Sequence, residues 1–135
     1  MKFLVDVNVV SEAMKPAPDP EVIRWLKENE AEIAVDPIIL GEIRFGILCL
    51  PAGRRRNGLE KWFASVVLIF VCLPWDARTG LRWADLLYEQ RRKGLGLPLK
   101  DSMIAATALV HGLTVVTRNV GDFKRSGVPV LNPFK

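Results

Sequence analysis

The chain is poor in the residues that most hydrolytic chemistries need. It has one histidine, two cysteines and no long apolar run among its 135 residues. The lone His111 argues against the two-histidine chemistry of metal-free ribonucleases, and its place near a helix C-terminus is explained by capping. Cys49 and Cys72 form neither a CxxC pair nor a disulfide framework. Their apolar surroundings lead us to expect reduced thiols in the core. The longest uncharged stretch, Trp62 to Trp75, contains a proline and is too short to span a bilayer. Asp6 interrupts the first apolar stretch, so the pattern of a signal peptide is missing and the cytoplasm is the expected compartment. There is no G-x-S-x-G elbow and no P-loop, and Gly94 and Gly96 lack the full dinucleotide fingerprint.

What is present suits one compact unit. A chain of this length, 50% hydrophobic and 25% charged, reads as a single globular domain over residues 1–135, able to bury about two thirds of its unfolded surface. The net charge of +4 is concentrated at Arg54 to Arg56 and Arg91 to Lys93, which allows a polyanionic partner but is equally served by solvated charge.

Helical and strand-like segments alternate. Residues 2–5 read as a short buried strand. Asp19 and Pro20 then open a helix, residues 32–35 form a strand, and Asp36 and Pro37 open a helix reaching about Leu50. A helix over 59–68 and a strand near 70–73 precede Asp76, which caps a helix with Leu81, Ala84 and Tyr88 on one face. Residues 97–112 are helical, with Pro98 near the start and Gly112 just past the end. "LTVVT" and "VPVLNP" supply the last strands. This alternation predicts an α/β/α sandwich around a small, mostly parallel sheet, with any ligand beyond the carboxyl ends of its strands.

The acidic residues divide on that basis. Asp19, Asp36 and Asp76 are explained as helix caps, and Glu12 and the other glutamates on polar helix faces as solvated charge. Asp6, Glu42, Asp101 and Asp122 remain, and at least three of them fall on the sheet edge where a ligand would sit. Unpaired carboxylates ~4 Å apart repel by about 4 kcal/mol at an effective dielectric near 20. A divalent cation relieves that repulsion, and oxygen-only donors suit Mg²⁺ or Mn²⁺ better than zinc.

The segments "FLVDVNVVSE", "ILGEIRFGI", "LKDSMIAATALVHGLTVVTRNVGDF" and "VPVLNPF" resemble the PIN domain, in particular the VapC toxins of toxin–antitoxin pairs, over essentially the whole chain. The resemblance implies a metal-dependent endoribonuclease that cuts RNA with a metal-activated water and is restrained by a VapB-type antitoxin. By the same resemblance Asp6, Glu42, Asp101 and Asp122 form the catalytic quartet, supported by Asn8, Thr117 and Asn119. Asp6, Asp101 and Asp122 would contact the metal, and Glu42 would serve a second ion or orient the water. Two positions depart from the pattern: Val7 stands where threonine or serine is usual, and Ile39 where threonine is often found.

Two alternatives follow from the same residues. A haloacid-dehalogenase-like phosphatase also begins with a strand ending in aspartate, although its usual second aspartate is here Asn8. A PIN scaffold that binds RNA or antitoxin without cutting is the other. Four tryptophans and six phenylalanines are many for so small a sheet. Trp25, Trp62, Phe63 and Trp83, beside arginines and lysines, suggest a homodimer and an apolar groove for an antitoxin segment.

Overall fold

The computed structural model describes residues 1–134. Its centre is a sheet of five strands, β1 (Phe3–Val5), β2 (Ile33–Val35), β3 (Val71–Cys72), β4 (Thr114–Val116) and β5 (Val130–Leu131). They run in the order β3-β2-β1-β4-β5, and every pairing is parallel. Parallel neighbours need crossovers, and helices supply them on both sides of the sheet. These are α1 (Val7–Val10), α2 (Pro20–Glu28), α3 (Pro37–Leu48), α4 (Arg54–Ser65), α5 (Ala77–Arg92), α6 (Leu99–His111) and α7 (Val120–Lys124).

Burial explains the strand composition. Leu4, Val5, Ala34, Val35, Val115 and Val116 are fully enclosed, as strands covered on both faces must be. From α3, Ile39, Ile43 and Ile47 add one stripe at i, i+4, i+8, and α6 contributes Ile104, Ala105 and Ala108. Asp19, Asp36 and Asp76 cap α2, α3 and α5 as expected, each accepting a backbone N–H of the first turn. Gly112 closes α6 with φ at 67°, where a side chain would be strained.

Several expectations are corrected. The helix expected over 59–68 begins earlier and ends earlier, as α4, so Arg54 to Arg56 form its first turn; Val67–Ile69 is a separate 3₁₀ turn. Cys49 and Cys72 are exposed, because Cys49 ends α3 and Cys72 lies in the edge strand β3. Leu81 and Tyr88 face solvent, and the buried side of α5 carries Thr79, Leu86 and Gln90 instead. Gln90 reaches across to donate to the Arg125 carbonyl at 2.7 Å. Glu12 is enclosed, accepting the Asp19 N–H at 2.8 Å and pairing with Lys15 at 2.9 Å, so it pins the proline-rich loop.

The aromatics divide likewise. Phe63 is in the core, Trp25 packs edge-on against Phe3, and the Trp83 indole donates to Ser102 Oγ at 2.9 Å. Trp62 lines an open apolar groove of about 570 Å³ with Ile23, Leu26, Ile69, Phe70 and Val71. Met1 and Ile33 at its border place the groove toward the amino ends of β1 and β2.

Candidate metal centre

The sheet changes direction at β1. The chain moves outward from β1 to β2 and β3, then returns to the other side of β1 for β4 and β5. Ligands of open parallel sheets bind at such a switch point, beyond the carboxyl ends of the strands. Asp6 follows Val5 at the end of β1, and Thr117 follows Val116 at the end of β4. Val5 and Val116 are paired in register, so the two side chains meet.

The contact is a short hydrogen bond. Thr117 Oγ1 donates to Asp6 Oδ2 at 2.7 Å and accepts from Asn8 Nδ2 at 3.2 Å and from the Asn119 N–H at 3.0 Å. One donor and both acceptor positions of the hydroxyl are thereby engaged. Asn8 Oδ1 accepts the Arg118 N–H at 3.1 Å, and Asp6 Oδ1 accepts the Val7 N–H at 2.8 Å. Asp6 therefore both caps α1 and faces the site. Of the three expected supports, Asn8 and Thr117 act through their side chains, whereas exposed Asn119 acts through its backbone. Burial raises the Asp6 pKa against the pull of the Thr117 hydroxyl and the Val7 N–H.

Asp101 lies in the first turn of α6 and reports on the other three acids. Its pKa is raised to about 6, first by burial and then by the charges of Asp6, Asp122 and Glu42, with Lys100 acting in the opposite direction. Four elements distant in sequence thus place their carboxylates in one electrostatic field. Glu42, in the second turn of α3, is also raised, by burial first; Lys100 opposes the shift while Asp6 and Asp36 reinforce it. Its Oε2 lies 3.6 Å from Lys100 Nζ. Asp122 pairs with Arg125 at 3.0 Å.

Asp36, read from the sequence only as a cap, does more. It is fully enclosed, its Oδ1 accepting the Ile39 N–H at 2.9 Å and its Oδ2 the Thr107 hydroxyl at 2.7 Å. One carboxylate therefore ties the start of α3, which carries Glu42, to α6, which carries Asp101. Burial pushes its pKa up as well. Its position, one residue past β2 beside the end of β1, was the available signal. Ile39 is completely enclosed in the apolar core, where a threonine hydroxyl would need a partner of its own.

The donor set fits a hard cation. It consists of oxygen ligands whose like charges are only partly compensated, and it holds no nitrogen or sulfur donor that would favour zinc. Among the described residues, no three acidic, histidine or cysteine side chains are gathered into a closed ligand cluster as they stand. Glu42 and Asp122 are each paired with a cation instead, Lys100 and Arg125.

The sequence matches the PIN domain over residues 3–128. The chain belongs to the PIN-domain family. It is 33% identical to the VapC ribonuclease Y4jK of Sinorhizobium fredii and 34% identical to the toxin FitB of Neisseria gonorrhoeae, with 98% of each chain covered in both comparisons. The solved structure of FitAB bound to an IR36 DNA fragment superposes with a TM-score of 0.92 at 31% identity, covering 98% of this chain and 96% of that one. The PIN sheet accounts for the switch point at β1 and for acids arriving from β1, α3, α6 and α7. No described helix is long and apolar enough to cross a membrane.

Proposed function

We propose that this PIN protein is the toxin of a type II toxin–antitoxin pair, a Mg²⁺- or Mn²⁺-dependent endoribonuclease working in the cytoplasm and held inactive by a VapB-type antitoxin. The observation that carries the reading is the meeting of Asp6 and Thr117 at the carboxyl ends of β1 and β4, the switch point of the sheet, and the charges of Asp6, Asp122 and Glu42 that help raise the Asp101 pKa act in the same sense. Relatives named as a VapC ribonuclease and a FitB toxin support it.

Asp6, Asp101 and Asp122 would hold the ion, and Glu42 would serve a second ion or orient the attacking water. A bound Mg²⁺ or Mn²⁺ supplies a more acidic water and positive charge at the scissile phosphate. Thr117 fixes one Asp6 oxygen, leaving the carboxylate a single orientation, and Asn8 braces both residues. Asp101 is deprotonated above its raised pKa and is then free to ligate. The phosphatase alternative loses its general acid, because the Asn8 carboxamide has no readily transferred proton and is already spent on Asp6 and Thr117.

The apolar groove bordered by Trp62, Ile69 and Val71 is the place we assign to an antitoxin segment, and exposed Leu81 and Tyr88, one face of α5, to a homodimer contact. The experiment is incubation of purified protein with structured RNAs in Mn²⁺ or Mg²⁺. Internal cleavage that stops with chelator and with cognate antitoxin supports the reading. Intact RNA under every metal condition, with RNA still bound, would establish a non-cleaving scaffold.

A further inference from the structure

A cluster of four carboxylates is a poor place to bring an RNA phosphate unless cations stand beside it. Among the described residues, two basic side chains have charged ends within ion-pair distance of the quartet, and they are held differently. Arg125 is anchored twice through its guanidinium, to Asp122 at 3.0 Å and to the Gly96 carbonyl at 3.3 Å, while its own carbonyl accepts Gln90. Lys100 has a single long ion pair, 3.6 Å to Glu42, and its side chain is 64% exposed. It precedes Asp101 directly and bears electrostatically on that residue and on Glu42. A long, exposed pair of this kind is weakly held and open to exchange.

We propose that Lys100 is a partner-exchanging cation. It neutralises Glu42 while the acids lack a metal, and it binds an RNA backbone phosphate next to the reacting one when an ion takes over Glu42. This rests on the ribonuclease reading above and names a substrate contact for that site. The α3–α6 geometry supports it. Asp36 and Thr107 join the start of α3 to the later part of α6, and Glu42 and Lys100 join them again further along. Glu42 lies six residues after Asp36 on α3 and Lys100 seven residues before Thr107 on α6, so the two links are separated by about 9 to 10 Å along each helix. The buried link fixes the frame, and the exposed one is left free to open.

The role makes two effects move in opposite directions. In Lys100→Met, Glu42 loses its competing cation, so Mn²⁺ affinity measured by calorimetry rises, about two- to fivefold. RNA affinity, read by anisotropy of a labelled single-stranded RNA of mixed sequence with Ca²⁺ replacing Mg²⁺, falls roughly three- to tenfold. The slope of log K against log salt also drops by about 0.7, one phosphate contact. Lys100→Arg keeps the charge and restores RNA affinity. Unchanged values in both assays would make Lys100 a solvated surface charge and overturn the proposal. A gain in Mn²⁺ affinity with RNA binding untouched would leave only a counter-ion and overturn it too. If the parent protein neither binds nor cuts RNA, the ribonuclease reading falls with it; if the parent cuts and Lys100→Met has the same KM, the inference on Lys100 alone is lost.

Discussion

The two sides of the acidic site are built in different ways. Around Asp6, every oxygen and hydroxyl is committed: strand register brings Thr117 alongside, and Asn8 and the Asn119 N–H complete the network. Around Glu42 and Asp122, the carboxylates are held by neighbouring cations on half-exposed surface, at 3.6 and 3.0 Å. The first side is rigid because its contacts come from the middle of the sheet. The second is open to rearrangement because its contacts are ion pairs of flexible, partly exposed side chains on helices. On the reading proposed above, an ordered anchor beside adjustable acids suits a site that takes an ion and a polyanion together.

The sharpest way to break the comparison is to remove charge while keeping shape. Asp6→Asn and Asp101→Asn should each reduce RNA cleavage to background with the fold intact, as judged by circular dichroism. Cleavage at the parent rate under limiting Mg²⁺ in both would show that neither carboxylate matters. Next in size, Thr117→Val removes one hydroxyl from the rigid side, leaving the Asn8 amide and the Asn119 N–H short of a partner. Mn²⁺ affinity should fall about 10- to 100-fold, the range typical for loss of a hydrogen bond to a ligand. An unchanged Mn²⁺ affinity in Thr117→Val would erase the distinction between the two sides.

Acidity gives a smaller and continuous test. The Asp101 pKa stands at about 6 instead of the usual 3.8, so the native state binds more protons than the unfolded chain between those values. Stability without metal should therefore decline as pH rises from about 4 through 6, and Asp101→Asn should flatten that decline. Denaturant titrations across this range check the sign; stability rising through the window in the parent, and not in the variant, would contradict it. The smallest effect is expected from Val7→Thr. It adds a hydroxyl beside the rigid side at nearly constant volume, and a modest gain in metal affinity is the outcome. Superimposable metal titrations would show that Thr117 and Asn8 already meet the need.

Much of this was legible in the sequence because it depends on local rules. Apolar triplets followed by Asp-Pro or by Asp6 mark strand ends and helix starts, and the order of such signals predicts a parallel sheet. Singly the four acids are weak signals, and they stand out because three of them fall at strand ends or helix starts on one edge of such a sheet. Other features depend on packing between distant segments. Asp36 satisfies the capping rule so well that its second bond, to Thr107 71 residues away, leaves no trace in the local pattern. Glu12 has polar neighbours in sequence yet is enclosed by the loop it holds. Cys72 sits in an apolar run that reads as core, but its strand is at the sheet edge. The partners of Glu42 and Asp122 are equally hidden, since nearby charges of opposite sign are common on any helical surface.

On the reading proposed above, Asp6, Asp101 and Asp122 hold the cation beside Glu42. Equilibrium Mn²⁺ binding measured by electron paramagnetic resonance, on the parent, Asp6→Asn and Asp101→Asn at pH 7 and again below pH 6, tests it most directly. The account predicts saturable binding in the parent at pH 7, weakened at least about tenfold in each variant and in the parent on acidification. Equal affinity in all three proteins, or no saturable binding in the parent, would contradict it.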